Sequence, residues 1–173
     1  YHAGQIPVYY NHQYNSCWDQ VGSIGFANYV DLPHTPRYCF GHGLSYTQFS
    51  YSDLKLSKKE IGPFETIEIR VDVENVGSRV GDEVVQLLRD LYASMASPVK
   101  ELAGFKRITL EPGEKQTVIF EVKASQMAFL DMNMQWKVEK GTFLVEVGSS
   151  SQDIRLKDEY KVTEDGWLEG TDR

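Results

Sequence analysis

The sequence predicts an all-β protein, an antiparallel β-sandwich behind an irregular N-terminal extension. Three observations predict it. From Phe49 onward, about seven short strand-like runs follow one another with turn signals roughly every 8–12 residues, the spacing of sandwich domains. No stretch carries the 3.6-residue apolar period of a helix of any length. Apolar residues make up 41% and charged residues 25%, the balance of a chain that buries a core. At 173 residues it can do so without help from disulfides.

The strands can be placed in order. Phe49-Ser-Tyr51-Ser-Asp-Leu54-Lys-Leu56 alternates, with a register change near Ser52-Asp53. Ile67, Ile69, Val71 and Val73 alternate with Glu68, Arg70, Asp72 and Glu74, the pattern of a half-buried antiparallel strand. Asn75 to Asp82 is a turn with two glycines. Glu83 to Leu88 is apolar on both faces, as a central strand would be, with a helical turn as the alternative. Ala93 to Pro98 reads as a loop and Val99 to Leu110 as a strand. Glu111-Pro112-Gly113-Glu114 fits a type II turn, with Thr117 to Val122 as the expected hairpin partner of the preceding strand. Ser125 to Ala128 suits one helical turn. Phe129 to Asp131 and Gln135 to Val138 are short strands around an Asn133 turn. Thr142 to Val147 turns Phe143, Val145 and Val147 inward, and Ile154 to Val162 adds a last strand. The pattern Cys…Trp…Cys of antibody domains is missing, so within immunoglobulin-like sandwiches the fibronectin type III variety fits better.

The first third has a different texture. Residues 5–10, Gln-Ile-Pro-Val-Tyr-Tyr, read as a short strand that Pro7 confines to an edge or a strand start. From Asn11 to Pro36 only loop signals occur, with Tyr14, Trp18, Ile24, Phe26, Tyr29, Val30 and Leu32 scattered through them. A structureless connection of this length is uncommon inside a compact domain, and its aromatics need a surface to bury against. The expectation is that 1–35 ends one structural unit and lies over a body of protein outside this chain. Residues 36–162 then form the sandwich and 163–173 a flexible acidic tail. Pro36 to Phe49, with two close glycines among aromatics, is the junction. Tyr1-His2-Ala3-Gly4 carries neither an initiator Met nor a signal region, so a piece cut from a longer chain is expected, with 1–35 partly disordered or packed on a neighbour.

Candidate chemistry is sparse. The formal charge of −7 argues against nucleic acid and anionic membranes as partners, and no apolar run is long enough to span a bilayer. His2, His12, His34 and His42 show no metal-ligand spacing, so no metal is expected. Gly43-Leu44-Ser45-Tyr46-Thr47 lacks the second glycine and the αβ context of a nucleophile elbow. Asp31, Asp82, Glu83, Glu101 and Asp131 read as ordinary solvated acids, none in a setting that would raise its pKa. Cys17 and Cys39 could pair or stay as thiols. Trp18, Trp136 and Trp167 could stack on sugar rings, with Trp136 better suited to the core.

Several ordered motifs carry a family resemblance. Phe40-Gly-His-Gly-Leu-Ser-Tyr-Thr-Gln-Phe49 resembles the segment that leads into the C-terminal domain of glycoside hydrolase family 3 enzymes. Similar to the same domain are Val73 to Leu87, Pro98-Val-Lys-Glu-Leu-Ala-Gly-Phe105, Leu110-Glu-Pro-Gly-Glu114 and Gly141 to Ser150. Gly4 to Asn11 resembles the last strand of that family's preceding αβα domain. One departure is Leu88, where Tyr is common.

The resemblance implies a fibronectin type III-like accessory domain of a retaining exo-β-glycosidase, of β-glucosidase or β-xylosidase type. In that family the Asp nucleophile sits on an N-terminal barrel and the Glu acid/base usually on the αβα domain. Both motifs lie upstream of these residues, so no catalytic residue carries over and the chain alone should be inactive, with no cofactor. The implied partners are the upstream catalytic domains of the same parent, met through Tyr9, Trp18, Phe26, Tyr38, Phe40 and Tyr46, and a homo-oligomer contact. A periplasmic or secreted parent is expected. The rival readings are a carbohydrate-binding module holding polysaccharide through Trp18 or Tyr14, and an adhesion-type sandwich.

Overall fold

The structure, a computed structural model, describes residues 3, 9–11, 35–92 and 100–168, with the side chains of 90–92 left aside. Trp18, Phe26, Cys17, the 93–98 loop and most of the expected 5–10 strand lie outside the described residues. Of that strand, Tyr9 and Tyr10 are described; neither is in a strand, and Tyr10 sits with Asn11 in a turn.

Eleven strands are described: β1 (Phe49–Leu56), β2 (Glu60–Ile61), β3 (Thr66–Asn75), β4 (Gly81–Tyr92), β5 (Glu101–Leu110), β6 (Lys115–Lys123), β7 (Phe129–Leu130), β8 (Trp136–Val138), β9 (Gly141–Gly148), β10 (Ile154–Val162) and β11 (Gly166–Trp167). A single 3-10 turn, Ala124–Met127, follows β6, where one helical turn is expected from sequence. One sheet has the order β1-β3-β6 and the other β2-β10-β9-β4-β5, with a small sheet β11-β8-β7 beside them. All pairings are antiparallel except β2 with β10.

Alternation places the core. Ile67, Ile69, Val71 and Val73 of β3, Val118, Phe120 and Val122 of β6, Val85 and Leu87 of β4, and Phe143, Val145 and Val147 of β9 are buried in one cluster between the sheets. Phe143 stacks on Tyr160 at 5.4 Å, and Trp136 packs against this core from a half-buried position. β4 is flanked by β9 and β5, and it is covered on both faces. Gln86 and Leu88 are buried as well as Val85 and Leu87. The register change near Ser52-Asp53 is a bulge, with Asp53 at φ 53°.

Two expectations are corrected. β6 is not the hairpin partner of β5; it pairs with β3 from Thr66↔Lys123 to Glu74↔Lys115. The Pro112-Gly113 turn has the expected shape, Gly113 at φ 78° with Glu114 N donating to Glu111 O. It is held to the end of β3, where Gly113 N donates to Asn75 O and Asn75 N to Glu114 O, so the chain crosses from one sheet to the other. Alternation shows which face is buried, but a neighbour in the sheet is chosen by backbone hydrogen bonds that side chains do not display. Nor is the tail frayed from Thr163: Thr163 N donates to Ile61 O, β11 pairs with β8, and Leu168 N donates to Trp136 O.

Candidate functional site

The segment ahead of β1 is fastened at two places and bows out between them. Tyr10 stacks flat on Phe40, centroids 4.0 Å apart, and Leu102 N donates to Tyr10 Oη at 3.4 Å. Ser151 N donates to Phe40 O. The amide Nε2 of buried Gln86 donates to Gly41 O at 3.2 Å and Ser149 O at 2.7 Å. Gly41 has φ +79°, and a Cβ there would stand 2.2 Å from the Gln86 amide, so the close approach needs glycine. Cys39 donates a thiol hydrogen bond to Ser150 Oγ at 3.3 Å. At the second foot, Thr47 Oγ1 donates to Asn75 Oδ1 at 2.6 Å and Val76 N to Gln48 O.

Between these feet, residues 42–46 form an arch. Leu44 is 95% exposed and Tyr46 92%, next to Tyr38 at 66%, Tyr9 at 67% and Phe40 at 42%. Of the six sequence-predicted docking residues, Tyr9, Tyr38, Phe40 and Tyr46 are therefore on the surface, and Trp18 and Phe26 lie outside the described residues. Leu44 was not among the six. Its place between Gly43 and the Ser45-Tyr46 pair, outside any alternating run, is the signal that points to it. Tyr38 leans on His42, rings 5.2 Å apart, and Ser45 Oγ accepts from Thr47 N as a turn cap; no strand–turn–helix surrounds that serine.

Beneath the arch runs a groove of about 760 Å³, lined on one wall by Gly41–Ser45 and on the other by Tyr51, Glu83, Gln86, Asp153 and Arg155. Tyr51 Oη donates to Glu83 Oε1 at 2.8 Å. Burial, and then the Glu83 charge, push the Tyr51 phenol well up, so it stays protonated as the donor. Burial also raises the Glu83 carboxyl above the ordinary carboxylate value, against the Tyr51 hydrogen bond and the Arg155 charge. This corrects the expectation that no acid here is raised: the sequence shows Glu83 beside two valines, but not that Tyr51 of another sheet closes over it. The Arg155 guanidinium faces the Tyr51 ring at 5.9 Å and grips Asp153 through Nε and Nη2, at 2.7 and 2.8 Å.

A second buried acid lies on the outer face of the same sheet. Glu146, opposite Leu88 across β4 and β9, is flanked by the ammonium groups of Lys100 and Lys157, each 2.6 Å away. Burial works to raise its pKa, but the two lysines outweigh it and hold the carboxyl below its usual value. Of the remaining candidate acids, Asp31 lies outside the described residues; Asp82 pairs with Arg107 and Thr109, Glu101 with Arg89 at 2.5 Å, and Asp131 accepts from the backbone of Asn133 and Gln135. Among the described residues no group of three or more His, Cys, Asp or Glu is placed to hold a metal ion.

Residues 83–151 match the family model of the fibronectin type III-like domain. The sandwich is a fibronectin type III-like domain. Its relatives are long enzymes. The chain is 41% identical over 141 residues to thermostable β-glucosidase B of Acetivibrio thermocellus, a match covering 80% of this chain and 19% of that protein. It is 43% identical over 156 residues to a β-xylosidase of Formosa agariphila, covering 90% and 21%. Among solved structures, the β-glucosidase of Listeria innocua in complex with glucose superposes with a TM-score of 0.81 at 36% identity, over 92% of this chain and 22% of that one. The chain thus spans about a fifth of the length of the relatives it matches. These homologues are glycoside hydrolase family 3 β-glucosidases and β-xylosidases, and the fibronectin type III-like domain corresponds to an accessory domain of such enzymes.

Proposed function

We propose that this fibronectin type III-like domain braces the catalytic domains of a retaining exo-β-glycosidase of β-glucosidase or β-xylosidase type, contributing no catalytic group itself. The observation that carries the reading is the grouping of exposed Tyr9, Tyr38, Phe40, Leu44 and Tyr46 ahead of β1; Phe64, Phe105, Met132, Met134 and Trp167 are exposed as well, but on separate later parts of the chain. Large apolar side chains grouped on one face mark a docking surface. The occupant is the catalytic body upstream in the same parent, because the relatives extend some four-fifths of their length beyond the matched part. Trp18 and Phe26 are assigned to the same contact from sequence.

The test has two arms. The 173-residue chain is assayed on aryl β-glucosides and β-xylosides and should turn over neither; hydrolysis at rates of a complete enzyme would overturn the reading. In the parent enzyme, the paired change Leu44→Ser with Tyr46→Ser should lower the thermal midpoint of the catalytic domains while leaving this domain folded. A contact between copies of the domain is a separate expectation, tested by sedimentation across a concentration series.

A further inference from the structure

We propose that the groove beneath the arch receives a basic side chain, arginine or lysine, presented by the protein body on which the aromatic segment docks. The proposal rests on the docking reading above and names one contact within it.

The first argument is the space. The arch overhangs a surface recess of about 760 Å³ with the exposed Leu44 on its rim, large enough to admit a side chain from another body. The arch is fastened at Cys39–Gly41 and at Thr47–Gln48, so it spans the gap without filling it. A body that covers the arch reaches the mouth of this recess, where a side chain can take the place of its water.

The second argument is charge. Three acids line the groove, and two are neutralised internally: Asp82 by Arg107 with Thr109, and Asp153 by Arg155 with Ser149. Glu83 is different. Its one hydrogen bond comes from the neutral Tyr51 hydroxyl, and among the described residues no lysine or arginine nitrogen lies within ion-pairing distance. Arg155 bears on Glu83 through its charge, but its Nε and Nη2 grip Asp153 and none of its nitrogens lies within ion-pairing distance of Glu83. Covering the groove would strand a half-buried carboxylate, which is costly unless a cation accompanies it. The other titratable group on the walls, His42, sits on the arch itself.

The third argument separates a basic side chain from a sugar. Sugar recognition uses an open aromatic face, but the Tyr51 ring has Arg155 over it and its hydroxyl is committed to Glu83. What the groove offers is an unpaired anion in a recess, which suits a guanidinium or ammonium group.

The test titrates the ¹³C-labelled 173-residue chain with N-acetyl-arginine amide, its neutral citrulline analogue and cellobiose. NMR reads the Glu83 side-chain carboxyl and the backbone amides of residues 41–47. Arginine amide should shift both sets of signals saturably, citrulline at least tenfold more weakly, and cellobiose not at all. Glu83→Gln, which keeps an acceptor for Tyr51, should lose the arginine response. The proposal is overturned by equal responses to arginine and citrulline, by a response to cellobiose, by an undiminished response in Glu83→Gln, or by none up to about 100 mM, a hundredfold above a millimolar site. If Glu83→Gln does not fold, the arginine–citrulline comparison on the unaltered chain decides. Because the readout needs no parent enzyme, a silent groove in a chain that still docks removes this proposal and leaves the bracing role standing.

Discussion

Thr47 Oγ1 donates to Asn75 Oδ1 at 2.6 Å, joining the foot of the arch to the last residue of β3. The same fully buried side chain accepts from Gly77 N and donates to the carbonyls of Arg79 and Leu110. One amide thus serves four partners from three parts of the chain. Asn75→Ala would leave buried polar groups unpaired, each worth about 1–3 kcal/mol. A loss of about 3 kcal/mol in urea unfolding is expected. Asn75→Asp should cost nearly as much, since a carboxylate cannot donate to the two carbonyls; a loss under about 1 kcal/mol for both would show that the network carries little.

Glu146 sets a pH limit. Its folded pKa lies below the ordinary value of 4.5, so its contribution is fully present above that value and is lost as pH falls through the folded value. Urea midpoints should therefore hold steady near neutrality and drop below about pH 4.5. Glu146→Gln should be less stable at pH 7 by about 2 kcal/mol, discounted from a fully buried pair because Lys157 is largely exposed. It should also show a shallower acid limb. An unchanged limb would assign the acid sensitivity to other carboxylates.

Gly41→Ala combines a left-handed backbone with a steric clash on Gln86. The expected cost is about 2 kcal/mol. Hydrogen exchange should also quicken at Ser151 N–H, which donates to Phe40 O. Protection at Ser151 equal to that of the unaltered chain would mean that Gly41 does not set the position of the arch.

The surface and core aromatics should respond in opposite ways. Tyr46→Ser lies on a fully exposed side chain and should leave the stability of the isolated chain within about 0.5 kcal/mol. Phe143→Ala empties a buried site stacked on Tyr160 and should cost about 3–5 kcal/mol. A Tyr46→Ser variant that unfolds readily would show the arch to be packed within the domain, against the docking role.

What could be read from residues alone divides by physical cause. The inward faces of β3, β6 and β9 were legible because period-two alternation reports burial directly, and the Asp53 bulge broke that alternation visibly. Partner choice was not: β6 carries the same pattern whether it pairs with β5 or β3, and the backbone ladder that joins it to β3 leaves no mark on that pattern. β2 and β11, two residues each, are too short for any period to show. The docking aromatics stood out as apolar residues without a core of their own. Glu83 escaped because its environment is made by Tyr51, 32 positions away, and Glu146 because its lysines come from the residue ahead of β5 and from β10.

The registers also fix where the chain comes in and where it leaves. Phe49, Asn75, Lys115 and Gly148 lie at the end of the sandwich that bears the arch, whereas Thr66, Lys123, Gly141, Val162 and the small sheet lie at the other. The ten residues of β3 bridge these ends, a span of about 33 Å at strand rise. The domain is thus strung lengthwise, as a strut rather than a loop. Anything fused after Leu168 would depart from the pole remote from the arch, and tension applied through both tails would run along the strands, shearing their ladders all at once instead of unzipping them one bond at a time.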